Sequence, residues 1–406
     1  MPALDVTAVR SQFPALAGMI DGRPAVYFDG PAGSQVPRGV VDAIGDYLLL
    51  HNANHGGAFA TSRENDAMLL DAQRAAADFL GASDPNAVVF GANMTTLTFA
   101  FSRALAQTWK PGDEIIVTLL DHDANVTPWV LAARDRGVTV QCVRFHPEDC
   151  TLDLDDLRSK LSSKTRLVAA GCASNAVGTV NPFATIVELA HAAGAEVFLD
   201  AVHYAPHALI DVEAWGCDYL VCSAYKFFGP HVGILWGRRE RLDALQPYKV
   251  RPAADDSPDR WMTGTPNFEG IAGARAAIEY LAGLGKGSNR RSKLDSAFRR
   301  IGDHEREIGS RLVGGLNCLP NVRVIGPRTM TDRVPTVSIV HANHPAKAVA
   351  EHLDRRGIFV WHGNFYALNL SETLGLEPDG MVRIGLLHYN TADEVDRLLD
   401  ALRELR

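Results

Sequence analysis

Between about residues 85 and 237, short β-rich runs alternate with stretches of helical spacing, and few folds accommodate that order. The runs fall at 88–90, 115–119, 138–143, 167–172, 197–199, 219–222 and 232–236. Between several of them, as over 97–109 and 183–193, apolar residues recur at helical intervals. Strand–helix–strand repetition implies right-handed crossovers. The chain is therefore expected to be α/β, with a mostly parallel seven-stranded sheet covered by helices on both faces. The last two runs are too close for a crossover helix, so 232–236 is expected to be an antiparallel neighbour.

Beyond a polar, proline-bearing loop at 251–258, a helix is expected over 269–284, ending in the glycines 283, 285 and 287. A smaller α+β unit follows: helix 290–317, strands 322–325 and 336–340, helix 346–356, strands 358–361 and 381–387, and helix 392–405. The expected organisation is an N-terminal arm (1–20) packing on the small domain or a partner, a large domain (21–285) and a small C-terminal domain (286–406). With 47% hydrophobic and 22% charged residues, the composition is that of a soluble globular protein. The net charge of −8 offers no basic surface for nucleic acid, and no apolar run is long enough to span a membrane. Six scattered cysteines without a C-x-x-C pair, and an N-terminus without a basic head and apolar run, fit reduced thiols in a cytoplasm and argue against a metal site.

In open α/β sheets ligands bind beyond the carboxyl ends of the strands. Five runs lead there into polar residues: Asn93, Asp121-His122, Ser174-Asn175, Asp200, and Ser223-Ala224-Tyr225-Lys226. Lys226 lies among Tyr225, Phe227 and Phe228, and a desolvated lysine is a better imine-forming amine. Asp200 ends an apolar strand and needs a partner; a protonated pyridine nitrogen would serve, and a helix N-cap is the plainer alternative. His203 either donates to a ring phenolate or fills the core. Asn93-Met94-Thr95-Thr96 opens a helix directly after a strand, which suits phosphate as well as ordinary capping. His122 is placed to stack on an aromatic ring, or is structural.

Together these residues resemble the class V aminotransferase family of fold-type I pyridoxal-phosphate enzymes, in particular its cysteine desulfurase-like branch. Tyr27-Phe28-Asp29-Gly30-Pro31-Ala32 is similar to that branch's Y-L-D-N-A-A, and Asp121-His122-Asp123-Ala124-Asn125 to its E-H-H-A-N. Ser174-Asn175-Ala176-Val177-Gly178 is similar to S-N-x-x-G, Asp200-Ala201-Val202-His203 to D-x-A-[QH], Ser223-Ala224-Tyr225-Lys226 to S-x-H-K, and Gly264-Thr265-Pro266-Asn267 to G-T-P-N. The resemblance implies pyridoxal 5'-phosphate held by Lys226 as a Schiff base. It places His122 on the ring, Asn175 beside the phenolate oxygen, and Ser223 and Tyr225 at the phosphate. It further implies that Thr265 reaches the phosphate of a partner's site in a homodimer, and that Arg383 grips the substrate α-carboxylate, a bidentate task suited to a guanidinium.

The departures carry as much weight. Tyr225 stands where the family has His, and Asn93-Met94 replaces a Gly-Thr pair. The stretch Trp361-His362-Gly363-Asn364-Phe365-Tyr366, matching the loop that bears the desulfurase nucleophile, has no cysteine, and Cys318 belongs to another element. The expected function is a pyridoxal-phosphate enzyme acting on a small α-amino acid, with transamination favoured. A C–S lyase or an epimerase is the alternative, ranked above a persulfide-forming desulfurase or a non-catalytic module. His55 and Tyr366 are expected to line the substrate side-chain pocket.

Overall fold

A computed structural model describes residues 3–405; residues 1, 2 and 406, the ends of the expected arm and C-terminal domain, lie outside the described residues. Seven strands form the main sheet: β1 (Val88–Gly91), β2 (Glu114–Thr118), β3 (Thr139–Val143), β4 (Thr165–Gly171), β5 (Glu196–Asp200), β6 (Tyr219–Ser223) and β7 (Gly233–Gly237). Their order is β1-β7-β6-β5-β4-β2-β3. β7 runs antiparallel to both neighbours and every other pairing is parallel, as the spacing predicts.

The central strands are buried on both faces, which is why they read as unbroken apolar runs rather than alternating ones. In β5, Val197 and Leu199 enter one apolar layer with Phe79, Phe227 and Ile278. Phe198 enters the other, against Phe101, Trp129 and Tyr219. The helices behind these layers include α1 (Ala60–Leu80), α2 (Met94–Leu105) and α3 (Phe268–Gly283).

A second, antiparallel sheet, ordered β8-β9-β11-β10, is built from β8 (Val322–Ile325), β9 (Thr336–His341), β10 (Trp361–Gly363) and β11 (Met381–Gly385). It packs on α4 (Arg290–Asn317), α5 (Ala346–Asp354) and α6 (Ala392–Arg403) through Leu312, Val349, Ile384 and Leu398. Two expectations are corrected here. The single strand over 358–361 is two: Ile358–Phe359 pairs with Val26–Tyr27, whereas Trp361 pairs with Arg383 in the second sheet. The strand over 381–387 stops at Gly385, which pairs with Thr336, the first residue of β9, so the ladder has no partner strand beyond it. The N-terminal segment is tied down by Arg10, which donates to Tyr389 O at 2.7 Å and pairs with Glu394 at 2.8 Å.

Candidate active site

The carboxyl ends of β4, β5 and β6 meet residues of the second sheet around a cavity of about 920 Å³. Lys226 follows β6 in a single helical turn and is 9% exposed. Its amine donates to Pro31 O and lies 4.6 Å from the Tyr225 ring centroid. Burial, with the charge of Arg383 adding to it, lowers the amine's pKa to about 7, against a smaller opposing pull from Asp200. A neutral, nucleophilic amine is thereby available near physiological pH.

Asp200 ends β5 beside Gly171 of β4. One oxygen accepts from Val202 N–H at 2.8 Å, an Asx-type turn rather than a helix cap; no hydrogen bond to the other is found among the described residues. Burial raises this carboxyl to about 6. Asp121 stands next to it, taking Gly171 N–H at 2.9 Å and Asn125 Nδ2 at 2.9 Å, and is raised to about 7 by burial and then by Asp200. His122 accepts Ala124 N–H on Nδ1 at 3.0 Å, which leaves the proton on Nε2 in the neutral ring. Burial and the nearby cations lower His122 to about 4. His203 is buried, its Nε2 sharing a hydrogen bond with Thr336 Oγ1 at 3.0 Å.

At the other end of the cavity, Asn93 caps α2 by accepting Thr96 N–H at 2.8 Å, and Met94 N–H donates to Ser223 Oγ at 2.9 Å. This approach requires glycine at 233, where a Cβ would lie 2.5 Å from the Asn93 carbonyl carbon. Thr95 is exposed at the helix opening.

Arg383, on β11, is buried at 4% exposure, stacks its guanidinium 4.1 Å from the Phe365 ring centroid and donates to Asn175 O at 2.9 Å. Its Nε has no hydrogen-bond partner among the described residues. Asn175 donates through Nδ2 to Phe365 O at 2.9 Å, and its buried Oδ1 has no partner among the described residues. Phe365 and Tyr366 both hold φ of 59°, a strained conformation for aromatic residues. The loop is pinned by Asp123 N–H to Tyr366 O at 2.7 Å, and Tyr366 stacks on His122 with centroids 5.5 Å apart.

The cavity thus gathers Asn93, Met94, Thr95, His122, Asn175, Asp200, His203, Ser223, Tyr225, Lys226, Tyr366 and Arg383 from distant parts of the chain. His55 and Thr265 do not line it: both are exposed, and His55 lies against Phe268 instead. Sequence reasoning missed His231 in the wall and gave Asp121 and Trp361, which also line it, no role of their own. Among the described residues, no cysteine lines the cavity.

The family model for "Aminotransferase class-V" matches residues 26–398. The chain belongs to the class V aminotransferase family. It is 31% identical to a cysteine desulfurase of Dickeya dadantii, over 98% of this chain and 96% of the relative. It is 33% identical to a probable cysteine desulfurase of Synechocystis, over 99% of this chain and 96% of the relative. Among solved structures, the apo cysteine desulfurase of Thermococcus onnurineus aligns with a TM-score of 0.90 at 27% identity, covering 100% of this chain and 98% of that one. The chain is accordingly an enzyme of a family that uses pyridoxal 5'-phosphate and acts on an amino-acid substrate. No helix among the described residues is long and apolar enough to cross a membrane.

The residues present fit that cofactor. A buried carboxylate with an unpaired oxygen suits a pyridinium nitrogen, and the opening of α2 suits the phosphate.

Proposed function

We propose that the enzyme is a transaminase acting on a small α-amino acid. The observation that carries this reading is the burial of Lys226 and Arg383 in the wall of one cavity, an amine to hold the cofactor and a guanidinium to bind a carboxylate. Bound at Lys226, pyridoxal phosphate supplies an electron sink for the substrate's Cα. Arg383 binds the substrate carboxylate through its guanidinium, whose Nε has no partner among the described residues, and so orients the Cα–H bond. Once the substrate's amine has replaced it on the cofactor, Lys226, its pKa lowered to about 7 by burial, takes the Cα proton and passes it on. Asp200 keeps the ring nitrogen protonated, and His122 covers the ring. Transamination asks for no reactive side chain beyond that lysine. Sulfur transfer through the protein would need a thiolate in the cavity wall, where none stands.

The second reading is a C–S lyase, favoured by relatives named cysteine desulfurases. In that reaction the same Cα deprotonation expels the substrate's own sulfur group. Epimerisation would need a proton donor on the opposite face. Incubating the cofactor-loaded enzyme with alanine, cysteine and cysteine sulfoxides separates these outcomes. Transamination predicts the pyridoxamine form and a keto acid, all lost in Lys226→Ala. Pyruvate with released thiol or sulfide, and no pyridoxamine form, would replace it by the lyase.

The enzyme is further read as a cytoplasmic homodimer with a shared site. Support comes from Leu49 and Leu50, 82% and 66% exposed on one apolar patch, from Thr265 standing away from its own chain's cavity, and from six unpaired cysteines.

A further inference from the structure

The ladder between β6 and β7 pairs Ser223 with Gly233, and its register runs on past the last strand pair. Ala224 N–H donates to Val232 O at 2.8 Å, which brings Tyr225 opposite His231. The two rings stack face to face, with centroids 4.9 Å apart and planes 16° from parallel. Both line the cofactor cavity. Gly233, two residues beyond His231, packs on Asn93 at the opening of α2, so the stacked pair extends from the phosphate cradle.

That cradle is short of cations. The start of α2 and the Ser223 hydroxyl offer only neutral donors to a group that carries nearly two negative charges. Lys226 is committed to holding the cofactor, and Arg383 stands on the second sheet. His122 and His203 are already bound to Ala124 N–H and Thr336 Oγ1. His231 is exposed on its outer side, and no hydrogen bond to its ring nitrogens is found among the described residues.

We propose that His231 is a ligand of the cofactor phosphate, fixed in place by the Tyr225 ring on which it stacks. This rests on the reading of Lys226 as the cofactor-holding residue. The test titrates apo-protein with pyridoxal phosphate and, separately, with pyridoxal, which has the same aldehyde and no phosphate, following the visible imine band. His231→Ala raises the Kd for pyridoxal phosphate about tenfold, the value of one hydrogen bond to a charged group, and leaves the Kd for pyridoxal unchanged. His231→Gln recovers part of the loss, and Tyr225→Leu, which removes the platform, reproduces it. Wild-type affinity for pyridoxal phosphate in His231→Ala would overturn the proposal, as would equal losses for both aldehydes. No imine band in wild-type protein with either aldehyde would overturn the reading of Lys226, and the role of His231 with it.

Discussion

At the scale of single residues, the site is built from groups held in their less comfortable protonation states. Asp200 is the clearest. Its carboxyl is raised from 3.8 to about 6 by burial. A group whose folded pKa lies above its unfolded value stabilises the fold below the unfolded pKa, and that stability is lost as pH rises through the folded one. In cofactor-free protein the cost of Asp200 therefore sets in between about pH 4 and pH 6 and is full above that. Asp200→Asn should melt with the wild type near pH 4 and above it at pH 8, by on the order of 3 kcal/mol in unfolding free energy. The same variant, loaded with cofactor, should turn over about a hundredfold more slowly, because the ring loses its charged partner. Equal melting at pH 8 would mean that Asp200 is already paired in the empty site.

At the scale of elements, the decisive junction is the one between β7 and the start of α2. Gly233→Ala would push a methyl onto the Asn93 carbonyl carbon, 2.5 Å away, where backbone cannot yield cheaply. The expected result is a loss of about 1–3 kcal/mol of stability and weaker pyridoxal-phosphate binding, checked by thermal melts and cofactor titration. A variant with unchanged affinity would remove this junction from the phosphate site. The strands around it were legible in the sequence, because both-face burial leaves unmistakable apolar runs. The opening of α2 was legible through Asn93, whose side chain does cap the helix. His231 was not, since it reaches the cavity through cross-strand register that only pairing with Tyr225 reveals. The bend at 363–366 was equally hidden: nothing in Phe365 or Tyr366 announces a positive φ. The split at 358–363 escaped because each half answers to a different partner strand.

At the scale of the whole molecule, two sheets from distant parts of the chain close on one cavity, Lys226 and Asp200 from the first and Arg383 from the second. An exposed apolar patch at Leu49 and Leu50 calls for cover. Wild-type protein should sediment as a dimer, and Leu49→Glu with Leu50→Glu should shift it toward monomer with weaker cofactor retention. A monomeric wild type would return Thr265 to an ordinary surface residue. Every role assigned in the cavity depends on Lys226 holding the cofactor. Reducing the cofactor-loaded protein with borohydride and mapping the modified peptide by mass spectrometry tests it most directly. One phosphopyridoxyl group per chain, on Lys226, is the predicted result; a label on another lysine, or none, would contradict it.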